Sequence, residues 1–197
     1  MPNDGDNPGS GRPRILVCGW AGAGNLGDEL LTDWVVSEIE AAGGSVVLTS
    51  RSFDDTRRRH PSVSPTRWGG RDIMAVLHRV DGVVIGPGGI IQDNTSLWSL
   101  PGHLVKAFVA RLRNVPTAGV GLGAEPLTRR SSRWLLRRAI GGAVGVAVRD
   151  EPSARALAAA RVTSTVGADL VFDLDPIGGF DQSGREEIVV AIGPRLR

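Results

Sequence analysis

At 197 residues, 41% of them hydrophobic, and with a formal net charge of +2, the chain has the length and composition of one globular domain with a little left over. The near balance of 23 basic and 21 acidic residues gives no overall drive toward nucleic acid, no apolar run reaches the roughly 18 residues of a membrane span, and no basic-then-apolar leader opens the sequence. The lone Cys18 excludes an internal disulfide and suits a cytoplasmic protein, and neither a zinc cluster nor a Ser-His-Asp set is legible.

Residues 1–12 are polar and rich in Gly, Pro, Asn and Asp, and read as a disordered leader. A strand is expected over 14–19, followed by the glycine-rich stretch from Gly19 to Glu29 and a helix over 28–42 that Gly43-Gly44 ends. Strands follow at 45–49 and 62–66, with Arg57, Arg58 and Arg59 in a solvated loop between them. A helix over 70–79 leads to an apolar strand at 82–85 and a second glycine loop from Gly86 to Ser96. Pro101 opens the next helix. A strand at 116–120 then enters a third glycine loop, and a helix over 129–140 carries five arginines. That helix reads first as a solvated face, with peripheral membrane contact as the alternative. A strand at 145–148 ends in Arg149-Asp150, and a helix over 152–160 and a short strand at 163–166 follow.

Repeated strand–helix alternation predicts an α/β, Rossmann-like parallel sheet with helices on both faces, over residues 13–176. Residues 177–187 read as a linker, and 188–197 as an added edge strand or the first strand of a second domain.

In such a sheet the loops after the strands open on one edge, and with strand order 3-2-1-4-5 the first two glycine loops flank the switch point. Gly22, Gly24, Asn25 and Gly27 of the first loop, and Gly88 and Gly89 of the second, can bring backbone close to a ligand, as can Gly123 of the third. The spacing of Gly22 and Gly27 nearly makes a phosphate loop, but Asp28 and Glu29 stand where Lys and Ser or Thr would be. Asp28 or Glu29 from one loop and Asp93 from the other are candidates to face a shared crevice, with Arg149 on the same edge. Asp28, Glu29 and Asp150 have helix capping or helix-dipole roles as rival readings, Asp93 a turn, and Arg149 an ion pair with Asp150. His103 is a further candidate to point at the cleft, while Cys18 reads as a core thiol and His60 and His78 as surface residues.

Together, Gly19–Glu29, Gly86–Ser96 and the later VGLGAEPL and AVRDEPS segments resemble the polysaccharide pyruvyl transferases, over roughly residues 14–175. The resemblance implies the N-terminal half of a two-domain glycosyltransferase-B-like fold. It implies transfer of a pyruvyl group from phosphoenolpyruvate, with no other cofactor or metal, onto hydroxyls of a glycan, free or lipid-linked, to give a cyclic ketal. Asp93, Arg149 and Asp28 are then the expected catalytic residues. Gly22, Gly24, Asn25, Gly27, Glu29, Gly88, Gly89, Gly123 and His103 are expected to bind substrate. A second domain is expected to complete the donor site, and this chain alone is expected to be inactive. Where the family tends toward three consecutive glycines, this sequence has Pro87, which removes one N–H donor.

Two other readings remain. Gly22-Ala23-Gly24-Asn25-Leu26-Gly27 with Arg51 after strand two suits an NADP-dependent enzyme, although the first glycine lies three residues beyond Gly19. A non-catalytic binding domain is the third.

Overall fold

The computed structural model describes residues 11–94 and 99–174. Its centre is an eight-stranded, wholly parallel sheet in the order β3-β2-β1-β4-β6-β7-β8, with β5 beside β6. The strands are β1 (Arg14–Ala21), β2 (Ser45–Ser50), β3 (Ser64–Thr66), β4 (Gly82–Ile85), β5 (Gly88–Ile91), β6 (Thr117–Ala124), β7 (Gly145–Val148) and β8 (Thr165–Val166). The helices are α1 (Leu26–Ala41), α2 (Phe53–Arg59), α3 (Gly70–Leu77), α4 (Ser99–Leu112), α5 (Arg130–Ile140) and α6 (Glu151–Ala159), and a 3-10 turn spans Leu170–Asp173. The α/β parallel architecture read from the strand–helix alternation is the one observed.

β1 lies between β2 and β4, so both of its faces must be apolar. Its alternation then sorts the core. Leu16 and Cys18 point to the side where α3, α4, α5 and α6 contribute Ile73, Leu77, Leu100, Leu104, Leu136 and Leu157. Val17 and Ala21 point to the other side, where α1 contributes Val35 and Val36. α1 ends as its two glycines require. Gly43, at φ +81°, donates to the Glu40 carbonyl and Gly44 to that of Ile39, which satisfies carbonyls the helix leaves open.

The structure corrects several expected boundaries. Phe53–Arg59 is a helix, with Ser52 as its N-cap, acids in its first turn and arginines in its last. Arg59 pairs with Asp33 of α1, so this segment is not a free loop. Helix α1 begins at Leu26 and α4 at Ser99, with Pro101 inside its first turn. The second glycine loop contains a strand, β5, and the third is largely the continuation of β6 to Ala124. Both are glycine-rich and adopt strand geometry through pairing, Gly88 opposite Leu122 and Ile91 opposite Ala124. The leader up to residue 10, the linker and the 188–197 strand lie outside the described residues.

Candidate active site

The strands all run one way, so the first and second glycine loops open on the same edge. β1 and β4 are neighbours there, with α1 leaving to one face of the sheet and α4 to the other. This divergence opens a crevice beyond the strand ends.

The first loop is held from beneath and from the side. Gly22 has φ +69°, and a Cβ there would come within 2.6 Å of the Ser52 amide nitrogen, so only glycine fits the turn over the end of β2. Its own N–H donates to Glu29 Oε1 at 2.7 Å. Asn25 caps α1 by accepting from the Gly27 N–H at 3.1 Å, and its Nδ2 donates to Asp28 Oδ2 at 2.8 Å. Glu29 and Asn25 therefore shape the loop. Gly24, at φ +75°, is exposed with nothing close above it.

Asp28 reaches across to the second loop. Its Oδ1 lies 3.0 Å from where a Gly88 Cβ would be, so the carboxylate lies directly against the Gly88 backbone. Burial, and then the neighbouring Glu29 charge, push the Asp28 pKa up, and the Asn25 amide opposes them in part. Gly88 follows the cis Gly86-Pro87 bond, and a Cβ on Gly86 would meet the Val120 carbonyl oxygen at 2.4 Å. Glycine at 86 therefore lets the end of β4 close on β6.

Arg149 completes this edge from the end of β7. Its guanidinium carbon lies 3.1 Å from the Cβ position of Gly123, and Gly89 Cα lies 3.0 Å from the same point. Its Nε donates to Asp150 at 3.2 Å, and Asp169 stands 3.8 Å from the guanidinium. Asp150 also caps α6 by accepting from the Ser153 N–H at 2.7 Å. Asp28, Gly88, Gly89, Gly123 and Arg149 thus lie along one rim.

Asp93 is close in sequence but differently employed. It is buried, and its carboxylate accepts from the N–H of Thr128 at 3.0 Å, the N–H of Arg129 at 3.0 Å and the Thr128 hydroxyl at 3.1 Å. Burial alone would raise its pKa, but these bonds and one from Ser132 outweigh it and hold the carboxyl at about 2. Arg129 also donates to the Asp93 carbonyl. The residue clamps β5 to the N-terminus of α5.

His103 lies on the α4 side of the crevice, among Trp20, Trp68 and Lys106, none of which the sequence singled out for the site. Its ring is 4.5 Å from that of Trp68 and 5.6 Å from that of Trp20. Trp68 donates from Nε1 to the Gly19 carbonyl at 3.1 Å, and Arg51 stacks over Trp20 at 4.9 Å. Lys106, the chain's only lysine, is buried one turn further on, with Nζ 3.6 Å from the Trp68 ring centre and donating to the Gly102 carbonyl at 2.7 Å. Burial, then the Lys106 charge, depress His103 to about 4, and its Nδ1 has no hydrogen-bond partner among the described residues. Burial pushes Cys18 beneath them up to about 12, and Lys106 only partly offsets it. The signal available in the sequence was phase, since position 103 falls on the same helical arc as Leu100, Leu104 and Ala107.

Among the described residues no group of His, Cys, Asp and Glu is arranged to hold a metal ion, and no helix is long and apolar enough to cross a membrane. Residues 25–191 match the family described as polysaccharide pyruvyl transferase. No curated protein matches the chain.

Proposed function

The chain belongs to the polysaccharide pyruvyl transferase family, and from that premise we propose that it transfers a pyruvyl group from phosphoenolpyruvate to two hydroxyls of a sugar in a cell-surface polysaccharide. In this reaction a hydroxyl gives up its proton and its oxygen bonds to C2 of the enol phosphate, while the C2–C3 double bond opens and C3 takes a proton to become a methyl group. The C2–O bond to phosphate then breaks, and phosphate leaves with the electron pair. The second hydroxyl oxygen closes the ketal and releases its proton. The chemistry needs a group that takes and gives protons, and a cation facing the donor's carboxylate and phosphate.

Asp28 is the proton-transfer group in this proposal. Its pKa is raised, the direction that makes a carboxylate a better base, and it lies against Gly88 across the crevice. Arg149 is the cation, held over Gly123 by Asp150 and Asp169. Asp93 takes a positioning role, because its oxygens are engaged by α5 and a carboxyl at about 2 is a weak base. The observation that carries the reading is the meeting of Asp28, Gly88–Gly89 and Arg149 on one edge of the sheet.

The test is incubation with labelled phosphoenolpyruvate and a panel of glycans. It is run on the full-length protein. Acid-labile pyruvate on the glycan, with equimolar phosphate release, is the expected outcome. Absence of transfer contradicts the proposal.

A further inference from the structure

Helix α5 exposes a face that the crevice does not use. Arg130, Trp134, Arg137 and Arg138 recur at helical spacing and are all exposed, while Leu136, Ala139 and Ile140 are buried beneath them. Trp134, 57% exposed, stands in the middle of this basic face with the Arg138 guanidinium 5.6 Å from its ring. Arg111, at the end of α4, reaches the same place. It donates to the Arg138 carbonyl at 3.2 Å and lies against Gly142. Arg111, Trp134, Arg137, Arg138 and Gly141 line an open cavity of about 380 Å³.

Two facts set this surface apart from an ordinary solvated helix. Among the described residues no carboxylate pairs with Arg111, Arg130, Arg137 or Arg138. Apolar side chains close by in the chain are exposed as well. Leu112, next to Arg111, is 68% exposed, and Val144, two residues beyond the Gly142 that Arg111 touches, is 77% exposed.

We propose that this face docks the protein on a bilayer rich in anionic phospholipid, with the arginines among the phosphates and Trp134, Leu112 and Val144 at the headgroup–acyl boundary. Charge complementarity argues for the anion, since the unpaired guanidiniums repel one another until negative charge arrives. The apolar neighbours argue for a bilayer over a soluble anion or a nucleic acid, because only an acyl layer removes them from water. An exposed indole beside arginines is the side-chain pair that settles at a membrane interface.

Vesicle flotation of the full chain tests this, with phosphatidylcholine alone and phosphatidylcholine mixed with phosphatidylglycerol. The chain should float with the mixed vesicles, remain behind with the neutral ones, and be released by added salt. Arg137→Glu with Arg138→Glu should weaken binding at least roughly 25-fold, at about five-fold for each arginine near an anionic surface. Trp134→Ala should weaken it with all charges intact, and Trp134→Phe should abolish the blue shift of tryptophan emission on binding. All these positions are exposed, so unchanged circular dichroism and melting temperature serve as the folding control. Equal binding to both vesicle types, or binding unaffected by charge reversal, overturns the proposal. So does capture of RNA, or self-association through this face, without vesicle binding.

Discussion

Asp28 and Asp93 show how two aspartates near one edge are set apart by their surroundings. Asp28 meets a glycine backbone, a like charge and one amide, and its pKa rises. Asp93 meets two backbone N–H groups and two hydroxyl-bearing side chains, and falls to about 2. A carboxylate that satisfies a helix N-terminus is a structural anchor. Asp93→Ala should therefore lower unfolding free energy by about 2–4 kcal/mol, because it strands buried N–H donors. Denaturant unfolding measures this, and a loss below about 0.5 kcal/mol, the size of an ordinary surface change, would contradict the anchor role. Sequence could not reveal this employment, since the partners Thr128 and Arg129 stand 35 and 36 positions away. The position of Asp28 against the second loop was legible, because an acid right after a glycine turn is placed by local geometry alone.

Helix α4 illustrates what an element does with polar residues on its buried face. His103 is neutral in the fold down to about pH 4, whereas in the unfolded chain it takes its proton near 6.5. Its folded pKa is depressed, so its contribution is present above 6.5 and is lost as the pH falls from 6.5 through 4. The size is on the order of 3 kcal/mol. The slope of melting temperature against pH over that window should flatten in His103→Phe, and an unchanged slope would refute the assignment. In Lys106→Met the His103 pKa, followed by NMR, should rise toward 6.5, because the neighbouring cation is gone. At this scale the sequence misled in two ways. β5 and the end of β6 have too many glycines to read as strands, and only pairing makes them so. α2 carries a single buried residue, Thr56, whose hydroxyl meets Ser50 at 2.7 Å, so it has no apolar stripe. What makes it a helix is its Ser52 cap and its acid-to-base polarity.

For the whole molecule, the order β3-β2-β1-β4-β6 follows from the alternation of elements and gives the crevice its place before any side chain is considered. The same topology serves dinucleotides elsewhere, and the details of this edge disfavour them. The Gly22 N–H is taken by Glu29, Asp28 faces the second loop with its negative charge, and Arg51 stacks on Trp20. Calorimetric titration with NADPH should therefore show no sub-millimolar binding, and a sub-millimolar site would contradict this reading of the loop.

In the proposal above, pyruvyl transfer takes place where Asp28, Gly88–Gly89 and Arg149 meet. It is tested by the rate of acid-labile pyruvate transfer from phosphoenolpyruvate to glycan in the full-length protein, for the parent, Asp28→Asn and Arg149→Ala. Asp28→Asn keeps the size of the side chain but cannot exchange the proton. It should slow kcat by about 10²–10⁴-fold with the melting temperature unchanged. Arg149→Ala should lower kcat and raise the KM for phosphoenolpyruvate together, because ground-state and transition-state contacts to the donor are both lost. Full turnover by Asp28→Asn, or a loss in either variant explained wholly by a lower melting temperature, would contradict the account.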